Sequence, residues 1–302
     1  MKKIIVAFSI LFLFQGYSQQ KELTLNDAVL GYYKGLYPKQ LSSLQWVTPT
    51  KYVYAQANTY IIKDVEKNTT ENITLSNFEK AFPGTKRIPR ISSIDENTIT
   101  FRKKHTQYNF NYRTNTIVSE ISVDATAQNN DYNGTAKAIA YTIDNNLYIA
   151  TQSNPKTAIT SFTDPNIVSG QAIARYEFGI SKGTFWSPKG THLAFYQKDE
   201  THVTDYPLVD ITTTPATLKN IKYPMAGQKS EYGKLGIYDV TKGNTAFLGL
   251  IKRKMILATG EEKDDHYLTN VTWSPSEDKI YIADFFFTTC LTICPIMTGH
   301  MG

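Results

Sequence analysis

Short runs in which apolar and polar positions alternate recur along this chain in pairs, and each pair closes on a tight polar turn. Gly183-Thr184-Phe185-Trp186 leads through Ser187-Pro188-Lys189-Gly190 into Thr191-His192-Leu193-Ala194-Phe195-Tyr196. Val271-Thr272-Trp273 leads through Ser274-Pro275-Ser276-Glu277-Asp278 into Lys279-Ile280-Tyr281-Ile282-Ala283. Alternation with period two sends successive side chains to opposite faces, so each run reads as a strand. Weaker copies follow the same plan: Leu44-Gln45-Trp46 before Tyr52-Val53-Tyr54-Ala55, and Tyr132-Asn133-Gly134 before Ala138-Ile139-Ala140-Tyr141. The spacings are 45 residues from Trp46 to Ile91, 41 from Ile91 to Tyr132 and 54 from Tyr132 to Trp186. Trp186 to Trp273 is 87, about two such units, with Leu235-Gly236-Ile237-Tyr238-Asp239-Val240 between them. A period of roughly 40–50 residues carrying four short strands is the mark of propeller blades. A single four-stranded sheet cannot bury both faces, whereas blades stacked about an axis cover one another. The alternative, a β-sandwich, has turns every 8–12 residues or so without this longer period. The expected fold is all-β, an incomplete β-propeller of about five four-stranded blades. Helix is expected only near the start, at Leu25–Leu30.

Composition agrees with strands, with 20 Tyr and 15 Phe among 302 residues and 41% hydrophobic residues overall. The net charge of +5 is small, and Arg102-Lys103-Lys104 reads as a solvated strand end. No nucleic acid partner is expected. At the N-terminus, Met1-Lys2-Lys3 precedes an apolar stretch from Ile4 to Phe14, then Gly16-Tyr17-Ser18. That is the three-part pattern of a secretory signal peptide over residues 1–18, cut before Gln19. A membrane anchor is the alternative, but the stretch is shorter than the roughly 20 residues a bilayer needs. The mature protein is expected to be exported, to the periplasm or cell surface. Its 2 cysteines, Cys290 and Cys294, leave the body without a disulfide framework.

Arg175-Tyr176-Glu177-Phe178-Gly179, Lys182 to Pro188, Ala194-Phe195-Tyr196 and Val203 to Asp210 together resemble the N-terminal domain of dipeptidyl peptidase IV-type serine peptidases. Ile221-Lys222-Tyr223-Pro224-Met225-Ala226-Gly227 is similar to that family's Tyr-Pro-x-Ala-Gly segment. The resemblance runs from about Leu23 to Ala283 and assigns residues 19–284 to the propeller. It implies a cap over an α/β-hydrolase domain that admits short peptide N-termini, with an acidic segment binding the free α-amino group. Glu177 fits that role. Better-known members have two adjacent glutamates there, where this chain has Tyr176-Glu177. Glu177 as an ordinary solvated loop carboxylate is the other reading. The family also sets an arginine on the substrate carbonyl; Arg113 and Arg102 are candidates by position, though neither sits in an alignable motif and both also read as solvated. His192 and His202 read as surface residues. The family's chemistry uses a Gly-x-Ser-x-Gly elbow with a later Asp and His. The chain is read as lacking that elbow, and so as unable to hydrolyse peptides itself.

Residues 285–302 break the pattern. Phe287-Thr288-Thr289-Cys290-Leu291-Thr292-Ile293-Cys294-Pro295 resembles the SCO/SenC copper chaperones, whose two thiolates suit soft Cu(I). The usual first proline is Leu291 here, and the later ligand histidine is absent; His300 is not its equivalent. A divergent blade strand with chance cysteines is the alternative. No cofactor is expected beyond weak copper at Cys290 and Cys294. Three function classes stay open: the gating propeller of an exopeptidase, a stand-alone binding module prone to self-association through an uncovered blade, and a copper-handling protein.

Overall fold

The computed structural model describes residues 22–38, 40–177, 179–248 and 270–282, together with the backbone of two short strands at 255–256 and 262–263. The first sheet is formed by β1 (Ser42–Trp46), β2 (Lys51–Gln56), β3 (Thr59–Asp64) and β4 (Thr69–Ile73), the second by β5 (Ile91–Ile94), β6 (Thr98–Lys103), β7 (Thr106–Asn111) and β8 (Thr116–Ser122). The third holds β9 (Gln128–Asn133), β10 (Ala138–Ile143), β11 (Asn146–Thr151) and β12 (Thr157–Ala158). In each the strands pair antiparallel in chain order, so neighbours in sequence are neighbours in space. This is the blade meander that the paired runs predict.

The fourth sheet departs from it. One edge of it is split between β13 (Ile167–Ser169) and β14 (Thr184–Trp186), which lie end to end along β15 (His192–Asp199). A hairpin, β16 (Asp205–Asp210) with β17 (Thr217–Lys222), is inserted before the sheet resumes with β18 (Tyr232–Asp239) and β19 (Asn244–Phe247). The doubled interval between Trp186 and Trp273 is therefore one lengthened blade. Leu235–Val240 does not start another blade, because β18 pairs with β15 along its whole length. After the paired strands β20 (Met255–Ile256) and β21 (Glu262–Lys263), a fifth sheet opens with β22 (Val271–Trp273) and β23 (Ile280–Ile282).

The repeated Trp and Ser have physical jobs. Trp186 donates its indole N–H to the Asp131 carbonyl at 3.0 Å, and Trp273 to the Phe185 carbonyl at 2.9 Å. Each ties its blade to the one before. Trp46, in the first blade, is instead 67% exposed. Ser187 and Ser274 are buried in the turns, where the Oγ of each accepts from the residue five along, His192 at 2.9 Å and Lys279 at 3.1 Å.

Helix α1 (Leu25–Leu30) begins at Thr24, whose hydroxyl accepts from the Asp27 amide. A second helix, α2 (Leu75–Glu79), corrects the expectation that helix is confined to the start. It is too short for periodicity to reveal. Asn77 Oδ1 accepts from the Thr74 amide at 2.8 Å and starts the turn, and Phe78 fills the space between the first two sheets, 5.2 Å from Phe110. Residues 1–18, where the export signal was expected, and 285–302 lie outside the described residues. Among the described residues no helix is long and apolar enough to cross a membrane.

Candidate substrate-recognition site

The split edge of the fourth blade produces a loop, residues 170–183, that leaves the sheet after β13 and returns at β14. Both ends are fastened to one residue of β15. The Gly170 amide donates to the Tyr196 carbonyl at 2.8 Å, and the Tyr196 amide donates to the Gly183 carbonyl at 2.9 Å. Gly170 has φ +75, a left-handed conformation that glycine adopts without strain. Gly183 passes so close to Gln171 that a Cβ would stand 2.2 Å from its carbonyl. Two glycines thus form a narrow neck.

At the head of this loop Ala174, Arg175 and Tyr176 take φ values of 49, 51 and 64. Left-handed backbone costs a residue with a Cβ about 1–2 kcal/mol, so three in succession must be held by their surroundings. The inner side of the turn is buried, with Ile173, Ala174 and Ile180 packed on Ala194, Tyr196 and Leu235. The rest is polar. Glu231, at the start of the run into β18, has a side chain only 2% exposed. Its Oε1 accepts from the Ala174 amide at 2.6 Å, and its Oε2 from the Arg175 Nη1 at 3.2 Å. A buried carboxylate is tolerable only when paired in this way. The Arg175 guanidinium also lies over the Tyr223 ring, 5.4 Å from its centre.

The chain leaves the turn through Glu177, whose φ of −77 returns it to extended backbone. Its amide donates to the Ala174 carbonyl at 2.8 Å, and its carbonyl accepts from Ile180 at 3.0 Å. Its side chain is exposed beside Tyr176, itself 66% exposed. The turn therefore fixes the Glu177 backbone while its carboxylate faces solvent. Chemically, such a group can accept from an ammonium or other cation.

A model of the dipeptidyl peptidase IV (DPP IV) N-terminal region matches residues 93–285. The chain belongs to that family. Dipeptidyl aminopeptidase B of Saccharomyces cerevisiae is 28% identical over 262 residues, covering 76% of this chain and 30% of its own length. Dipeptidyl peptidase 4 of Felis catus is 26% identical, covering 85% of this chain and 35% of its own. A crystal structure from Bacteroides ovatus, assigned as a dipeptidyl aminopeptidase IV, superposes with a TM-score of 0.68 at 33% identity, over 82% of this chain and 34% of that one. Dipeptidyl peptidase 4 of Porphyromonas gingivalis shares the fold at TM-score 0.58 and 16% identity, over 87% of this chain and 38% of that one. The chain spans about a third of the length of these relatives.

Within this dipeptidyl peptidase IV N-terminal region, two of the segments that carried the resemblance meet. Arg175 from one stacks on Tyr223 from the other. Arg113 is instead a clamp between the first two blades, paired to both Glu71 oxygens at 2.7 and 3.1 Å and donating through Nε to the Glu96 carbonyl. Arg102 donates to the Lys104 carbonyl and lines a cavity of about 470 Å³ with Arg90, Ser43 and Gln45. His192 is half-buried against Trp273, with ring centres 5.8 Å apart, and His202 packs edge-on to Tyr232.

The expected lack of a serine elbow needs a correction. Gly179-Ile180-Ser181-Lys182-Gly183 has the spacing of that motif. Ser181, however, lies in an exposed stretch that runs into strand β14, whereas an elbow opens a helix. The matching frame is the stem of the loop at residues 170–183. Cys290 and Cys294 lie outside the described residues. Among the described residues no three His, Cys, Asp or Glu side chains gather to hold a metal. Glu231 was missed by sequence reasoning. It closes the polar run Gln228-Lys229-Ser230, and nothing in that pattern marks a buried carboxylate.

Proposed function

We propose that this chain is the substrate-gating, N-terminus-recognising part of an exported dipeptidyl peptidase IV-type serine exopeptidase. In this reading the propeller delivers short peptide ends to a hydrolase domain outside these residues. Glu177 accepts the free α-ammonium of the substrate, and a carboxylate fixed in space counts the residues between that ammonium and the bond to be cut. The observation that carries the reading is the presentation of Glu177: an exposed carboxylate that follows a turn of three left-handed residues, itself held by a buried carboxylate. An ordinary solvated loop carboxylate requires no such support. The basic, apolar and small-residue order of residues 1–18 supports export.

The test is calorimetric titration of the full chain with the tripeptide Ala-Pro-Ala and its N-acetylated form. A charge-assisted hydrogen bond contributes about 1.5–3 kcal/mol, so the free amine should bind at least about tenfold tighter. Glu177→Gln should erase most of that preference. Equal affinity for the two peptides, or a preference unchanged in Glu177→Gln, would refute the proposal.

A further inference from the structure

We infer that Glu231 is the positioning residue of this site, and that its two oxygens fix the turn from which Glu177 is presented. The inference rests on the reading of Glu177 as the amine anchor and goes beyond it by naming what sets the anchor's place.

The turn at Ala174–Tyr176 is one that residues with a Cβ avoid, and two intraturn bonds, Tyr176 N–H to Ile173 and Glu177 N–H to Ala174, do not select it over a relaxed loop. The Ala174 amide points inward to the buried side of the turn. There Glu231 is its acceptor, at 2.6 Å. The second oxygen of the same carboxylate takes Arg175, the next residue, at 3.2 Å. One rigid group therefore binds two consecutive residues of the turn, by main chain and by side chain. Glu231 itself is held by the strand it opens, because Tyr232 pairs with Asp199 of β15 and Gly233 lets Ile173 pack closely, within 3.3 Å of where its Cβ would be. The turn is referenced to the sheet through Glu231.

A second consequence concerns charge. Arg175 lies two residues before Glu177 and is the cation nearest to it in sequence. Its guanidinium is engaged instead in the pair with Glu231 and over the Tyr223 ring. Without Glu231, Arg175 is released to compete with a substrate ammonium for Glu177.

The experiment uses the full chain and the same two peptides, with tryptic cleavage after Arg175 as a second readout. Glu231→Ala should lower the free-over-acetylated affinity ratio about tenfold and speed cutting at Arg175. Glu231→Gln keeps an oxygen for the Ala174 amide and should restore most of the ratio. A Glu231→Ala protein that melts lower yet keeps both the ratio and the tryptic rate overturns the inference, since that is what a purely structural role gives. If Glu231→Ala does not fold, Glu231→Asp replaces it; the charge remains but the carboxylate is withdrawn by one methylene, and an unchanged ratio overturns the inference equally. If Glu177→Gln leaves the ratio intact while Glu231→Ala abolishes it, the amine-anchor reading fails, and a positioning role toward Glu177 fails with it.

Discussion

The glycine neck of the loop at residues 170–183 gives a prediction whose size can be worked from geometry. In Gly183→Ala the new methyl would sit 2.2 Å from both the carbonyl carbon and oxygen of Gln171 and 2.5 Å from its nitrogen. Ordinary contact needs about 3.4 Å or more, so two backbone segments must part by roughly 1 Å. Neither is a flexible side-chain end. Overpacking of this kind costs about 1–3 kcal/mol, and moving Gly183 away from β15 endangers its bond from the Tyr196 amide, about 1 kcal/mol more. The total, about 2–4 kcal/mol, corresponds to a melting temperature lower by roughly 5–12 °C. Gly134→Ala is the control, since its methyl would meet nothing nearer than the Tyr132 ring at 3.8 Å. Thermal unfolding followed by circular dichroism measures both. Peptide affinity should fall in Gly183→Ala as well, because the neck sets where the loop stands. A Gly183→Ala protein that melts within about 1 °C of the parent would show that the neck is not closed as described.

Two further outcomes are expected. Trp273→Phe removes the indole donor to Phe185 and should cost about 1–2 kcal/mol by denaturant unfolding, whereas Trp46→Phe should change stability by less than about 0.5 kcal/mol; similar losses from both would refute the inter-blade role. Acid should destabilise the fold. Burial raises the Asp95 carboxyl, but bonds from the Thr98 hydroxyl and the Asn97 and Thr98 amides outweigh it and hold it below its ordinary 3.8. Burial likewise raises Glu277, and bonds from the Thr191 hydroxyl and Lys189 amide bring it below 4.5. A depressed folded value means stability that is present above the ordinary value and lost as pH falls, so melting should be level above about pH 5 and drop below about pH 4. Equal melting at neutral pH and about pH 3.5 would contradict this assignment.

The blades were legible because period-two strands joined by tight polar turns recur in each, and Trp186-Ser187 and Trp273-Ser274 repeat in the fourth and fifth sheets; these leave marks in sequence. The lengthened fourth blade was not. Its inserted hairpin, β16 with β17, is exposed along most of both strands and so lacks the alternation of a half-buried one. Interval counting then reads one long blade as two. Glu177 was found by resemblance, since no local pattern distinguishes it from other exposed carboxylates. Glu231 and the neck were hidden for a different reason. A buried acid and a tight glycine are defined by what approaches them, 57 residues away for Ala174 and Glu231, and a single sequence does not record that approach. The serine frame at Gly179–Gly183 makes the converse point. Its spacing matches a catalytic motif, but motif chemistry depends on the strand and helix around it, and here the next element is a strand.

Where the family resemblance implies two adjacent glutamates, this loop has Tyr176 and Glu177, and that difference bears on how the loop is built. An ammonium has three donors, and one carboxylate can take two of them at most in a single geometry. A pair of carboxylates tolerates some error in placement because one compensates for the other. A single one does not, so its affinity depends on being held in place before the ligand arrives. Every support seen here acts on the turn or its backbone: the glycine neck on β15, the packing of Ile173 and Ala174, and the Glu231 bond to the Ala174 amide. Among the described residues none of these supports binds the Glu177 carboxylate itself. If Glu177 is the amine anchor proposed above, the loop would supply by rigidity what a second glutamate would supply by charge, and loosening it should weaken ammonium binding even where Glu177 is untouched.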